Sequence, residues 1–127
     1  MQQTSVNVMG DLEQIAHEVE GVTYDSNRGI ENLSYRDDNS RIIATQYPGG
    51  RKTLSYHVDI RQLDFYLSQL QTLKNDIAGR IQEKLKTRRH SKPAEGQHLV
   101  GGYFPLADFS EISDLIRLHQ GIAKRAA

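Results

Sequence analysis

Apolar residues recur at steps of three and four from Leu63 through Leu67, Leu70, Leu73, Ile77 and Ile81 to Leu85. That spacing puts all seven side chains on one narrow face of a helix, the pattern used where helix packs on helix. The periodic stretch runs from about Arg61 to about Arg88, and at 1.5 Å per residue it would span roughly 40 Å. A helix of that length outruns a small sheet, so the seam predicts pairing with a second copy and hence a homo-oligomer. Its weak point is Asn75-Asp76 with Gly79, residues of low helix propensity at which a helix kinks or breaks.

Upstream of the seam the period is two. Leu33 and Tyr35 alternate with Asn32, Ser34 and Arg36, and Arg41 to Tyr47 reads as a second strand. Leu54, Tyr56, Val58 and Ile60 alternate strictly with Thr53, Ser55, His57 and Asp59, the mark of a strand with one buried face. Asp37-Asp38-Asn39-Ser40 and Pro48-Gly49-Gly50 supply the turns of an antiparallel meander. His98 to Phe104, containing Gly101-Gly102, adds a fourth strand or stays a loop.

Before the meander, Leu12, Ile15, Ala16 and Val19 define a short amphipathic helix with Asp11 and Glu13 at its positive end and Gly21 as its left-handed cap. Asp25-Ser26-Asn27-Arg28-Gly29 collects turn-forming residues and reads as a polar loop. Asp108-Phe109-Ser110-Glu111 has capping-box spacing and opens a last helix, with Phe109, Ile112, Leu115, Ile116 and Leu118 apolar and Gly121 as its end. The expectation is one α+β domain over residues 1–127. It has a three- or four-stranded antiparallel sheet, helices packed on one face and one long central helix.

Composition narrows the chemistry. Without any cysteine, disulfides, thiolate metal sites and cysteine nucleophiles are excluded. Neither a leader-like N-terminus nor a membrane-length apolar run is present, so the chain reads as a soluble, cytoplasmic protein without membrane contact. Net charge is zero, yet residues 1–38 hold eight acids against two bases, leaving −6 there and +6 over the remainder. Such asymmetry suits an acidic face meeting a basic one, within the fold or between copies.

Ser55, His57 and Asp59 match a hydrolase triad by residue type, but alternate strand positions lie roughly 6.5 Å apart and cannot form one. They define instead a polar strand face, the candidate ligand face for a small molecule. The histidines at 17, 57, 90, 98 and 119 show no metal-ligand spacing, so neither a metal nor a cofactor is expected. His119 reads as an imidazolium complementing a helix C-terminus. Gly49-Gly50 and Gly101-Gly102 belong to no complete phosphate-binding fingerprint and read as turn or bulge glycines.

Lys84, Lys86, Arg88, Arg89 and Lys92 form the one concentrated basic run, with no acid between Glu83 and Glu95. It is the candidate nucleic-acid surface, extended by Arg51 and Lys52 if the fold brings them near; the same cations also complement a helix C-terminus. Among the tyrosines, Tyr56 belongs in the core, while Tyr35 and Tyr47 are interface candidates. With no catalytic constellation, the leading expectation is a non-enzymatic binding or adaptor protein acting as a homo-oligomer, with a protein partner. The alternatives are a nucleic-acid-associated regulator using the basic run, and a small-molecule-binding protein or enzyme using the polar strand face.

Overall fold

A computed structural model describes residues 10–87, 89–93 and 95–126. Helix α1 (Asp11–Glu18) is followed by strands β1 (Thr23–Asn27), β2 (Ile30–Arg36), β3 (Ser40–Gln46) and β4 (Lys52–Asp59). A single 3-10 turn (Ile60–Gln62) leads into α2 (Leu63–Leu73) and α3 (Asp76–Lys86), then β5 (Leu99–Leu106) and α4 (Ile112–Ala126). The α+β class stands, but the sheet has five strands, in the order β1-β2-β3-β4-β5, every neighbour antiparallel.

The additional strand, β1, lies where a polar loop was expected. Thr23, Asp25, Ser26 and Asn27 are exposed and Tyr24 is half-buried, so this edge strand has no apolar alternation to announce it. What creates it is the turn: Arg28 and Gly29 both have positive φ, 55° and 82°, the geometry that joins antiparallel strands tightly and for which glycine is suited. The segment expected as a fourth strand or loop is β5. Its glycine pair admits close neighbours rather than forming a turn or bulge: a Cβ on Gly101 would meet the Tyr56 carbonyl and the His57 ring, and one on Gly102 the Tyr56 phenol.

The alternation in β2–β5 sorts the sheet into two faces. Leu33, Ala44, Leu54 and Phe104 form one cross-strand row, with Tyr35, Ile42 and Tyr56 in the next. All seven are buried in one core cluster with side chains from all four helices. The helices therefore share that face, as expected.

The single long helix is corrected to two. Lys74 adopts a left-handed conformation, φ 52° and ψ 41°, and Asn75 caps the new helix by accepting the Ala78 N–H at 2.8 Å. Folding back shortens each segment to 11 residues, roughly 16 Å, so both fit over the sheet. The seam is occupied inside the subunit: Leu70, Ile77, Ile81 and Leu85 are buried, while Leu63, Leu67 and Leu73 are half-buried against the same core. Glu111 completes the break. Its carboxylate accepts the Asp76 and Ile77 N–H groups at 3.2 and 2.9 Å, capping α3 rather than closing a box with Asp108. Asp108 instead accepts from the Ser110 N–H and hydroxyl. Gly121 does not end α4, which continues to Ala126.

This packing makes two outcomes testable. Leu70→Asp or Ile77→Asp strands a charge in the core, at a cost of about 4 kcal/mol or more, and should unfold the subunit, read by loss of the circular-dichroism melting transition. Dissociation to a folded monomer would instead make the seam an interface. Glu111→Ala should lower stability by about 1 kcal/mol through the lost cap, measured by urea denaturation.

Candidate functional site

The face of the sheet opposite the core carries Thr23, Ser34, Ile43, Ser55 and Tyr103 in one cross-strand row and Arg36, Arg41, His57 and Gly101 in the next. Among the described residues no helix packs there. Tyr103, 61% exposed, is the most exposed large hydrophobic residue in the molecule as described. A depression of about 350 Å³ opens between Gly21, Thr23, Ser34, Arg36, Arg41 and Ile43.

Strand pairing places the basic groups. Arg36 and Arg41 flank the β2–β3 turn and sit directly opposite each other, and Arg41 is opposite His57 on β4. Among the described residues neither arginine has an ion-pair partner. Arg41 Nε and His57 Nδ1 are shielded from solvent and have no hydrogen-bond partner among the described residues. Burial, and then the Arg41 charge, hold the His57 imidazole below its ordinary pKa, so it is neutral at pH 7.

Of the three residues expected as a ligand face, Ser55 and His57 lie on this surface, half-buried. Asp59 is buried and engaged in the turn after β4: it accepts from the Arg61 backbone N–H at 2.9 Å and pairs with that guanidinium at 2.7 Å. The Arg61 hydrogen bonds hold its carboxyl below the usual range. Arg36 and Arg41 were missed as site residues. Their equal distance from the Asp37–Ser40 turn was the signal, because a hairpin closing there must pair them.

The basic run spans the end of α3. Lys84 is half-buried with Nζ 6.0 Å from the Phe104 ring centre; Lys86, Arg89 and Lys92 are exposed; Arg88 lies outside the described residues. Arg51 stacks over Tyr47 at 4.2 Å and Lys52 stands 5.9 Å from the Phe109 ring centre.

A second polar constellation is internal. His119 is not an imidazolium at a helix end: it is buried, and burial pushes its pKa down to about 4. Nε2 lies 2.7 Å from Tyr66 Oη and Nδ1 lies 2.9 Å from Ser40 Oγ. Ser40 donates to the Asp37 carboxylate at 3.2 Å, which also accepts from the Tyr35 hydroxyl and, at 2.7 Å, the Asn39 N–H. The donor order fixes the tautomer: Ser40 gives its proton to Asp37, so it accepts from Nδ1–H, and Nε2 accepts from Tyr66. Tyr35, expected at an interface, is buried within this chain of bonds, while Tyr56 is in the core as expected. The network ties α2, α4 and the β2–β3 turn together.

Among the described residues no three His, Asp or Glu side chains gather to hold a metal ion, and no helix is long and apolar enough to cross a membrane. Compared with protein-family models, curated proteins and solved structures, the chain finds no match.

His119 makes stability pH-dependent with a defined sign. Its pKa of about 4 in the fold lies below the ordinary 6.5, so the unfolded chain binds the extra proton. The contribution is fully present above pH 6.5 and is lost as pH falls through about 4, on the order of 3 kcal/mol in all. Denaturant midpoints of wild type and His119→Gln between pH 4 and 7 should diverge by that slope. Parallel curves would rule out a neutral buried imidazole.

Proposed function

We propose that this is a non-enzymatic binding protein that takes an anionic ligand on the face of its sheet opposite the core. The observation that carries the reading is the row Arg36–Arg41–His57, in which two guanidiniums meet across adjacent strands with no ion-pair partner among the described residues. Like charges directly opposite each other destabilise a sheet, and a bound anion converts that cost into charge-assisted hydrogen bonds. The hydroxyls of Ser34, Ser55 and Thr23 on the same face supply neutral donors. The helix seam packs within the subunit, and the row Arg36–Arg41–His57 lies within one chain.

Native mass spectrometry of protein purified at low salt tests the reading. An adduct is expected on wild type and should drop several-fold with Ser55→Glu, which places a negative charge on this face. An adduct that the variant retains in full places binding elsewhere, and bare whole multiples of the chain mass make assembly the function instead.

A second reading, association with nucleic acid through the run 84–92, is favoured by the exposure of Lys86, Arg89 and Lys92 without ion-pair partners among the described residues. For that reading, Arg89→Glu with Lys92→Glu should weaken binding of a single-stranded oligonucleotide. It should also reduce the slope of log affinity against log salt by about 0.7 for each phosphate no longer neutralised.

A further inference from the structure

Resting on the reading of the sheet face opposite the core as the binding surface, we propose that the depression beside Arg36 and Arg41 seats the phosphoryl group of a small phosphomonoester. Arg36 and Arg41 face each other across β2 and β3, and both line the depression together with the hydroxyl-bearing Thr23 and Ser34, which are themselves cross-strand partners. Four donor side chains thus converge from three strands on one concavity. Arg41 Nε, removed from solvent, has no hydrogen-bond acceptor among the described residues. A buried donor without a partner is costly, and that cost falls on one of the two arginines that line the depression.

The count of charges and acceptors selects the ligand class. A carboxylate carries a single negative charge, which one guanidinium balances through its fork, leaving the charge of the second arginine uncompensated. A phosphoryl group carries close to two negative charges and three acceptor oxygens. It balances both guanidiniums and leaves an oxygen for the Thr23 and Ser34 hydroxyls. At about 350 Å³ the depression falls within the range of small-molecule sites, about 300–1,000 Å³, so the anion arrives with an organic portion attached. Ile43, half-buried on the depression wall, gives that portion an apolar surface. His57, next in the row, extends the polar surface beside Arg41.

The test is a titration of the full chain with inorganic phosphate, glycerol phosphate and acetate at matched ionic strength. It is read by thermal shift and by NMR of the arginine side chains, on wild type, Arg36→Glu and Arg41→Lys. Both phosphate probes should raise the wild-type Tm in a saturable way and move the Arg36 and Arg41 signals, with acetate about tenfold weaker or more. Arg36→Glu should weaken phosphate binding about tenfold or more, while its ligand-free Tm equals or exceeds that of wild type because a like-charge pair becomes an opposite pair. Arg41→Lys, which keeps the charge and loses the fork, should weaken binding without unfolding.

Acetate binding as tightly as phosphate would overturn the phosphoryl assignment while leaving the anion-binding face standing. Inorganic phosphate binding without glycerol phosphate would reduce the site to one for the free ion and overturn the ester. Shifts that persist in both variants would displace the site from these arginines. If no probe disturbs Arg36 or Arg41, the proposal and the reading beneath it fall together.

Discussion

The buried imidazole of His119 joins parts of the chain that are far apart in sequence. Its two nitrogens reach Tyr66 on α2 and Ser40 at the start of β3, so the last helix, the first half of the former seam and the sheet are held by directional bonds inside an otherwise apolar core. Apolar packing tolerates sliding; a hydrogen bond made in a low-dielectric interior does not, because breaking it strands a polar atom. The network continues to Asp37 in the β2–β3 turn, and that turn sets the pairing of β2 with β3. The helix layer and the strand register are thereby tied to the same few atoms.

Register in turn decides what the opposite face displays. A one-residue slip would move every side chain of a strand to the other side of the sheet, dispersing the Arg36–Arg41–His57 row and exposing Ile42 and Ala44. The internal network and the outer row are separate chemically and coupled geometrically: one fixes the hairpin, and the other is its display. The glycines of β5 contribute to the same arrangement, since the His57 ring and the Tyr56 phenol occupy the space where side chains at positions 101 and 102 would stand.

Much of this architecture is legible in the sequence wherever burial leaves a period. Leu54, Tyr56 and Val58 alternate because one side of β4 is covered, and the seven apolar residues from Leu63 to Leu85 repeat because one side of a helix is. The seam could not tell a partner helix from a partner sheet, since both ask for the same stripe. The break was visible as weak propensity at Asn75, but its completion depends on Glu111, 34 residues beyond Ile77, and no local window contains both. Strand β1 escaped because an exposed edge strand has no buried face to mark it. The arginine row escaped for a different reason: Arg36 and Arg41 look ordinary until the turn between them is closed and the two are laid side by side.

Strand order repeats chain order, so three of the four strand pairings close over short turns. The fourth is different: β4 and β5 meet across a connection that contains the 3-10 turn and two helices, from Ile60 to His98. The entropy of bringing distant segments together thus falls mainly on one joint, whereas the first four strands zip by local steps of the kind that favour rapid folding. The sheet is therefore one local meander with a single long-range seam, and closing the segment from Ile60 to His98 carries the largest loop-entropy cost among its four pairings.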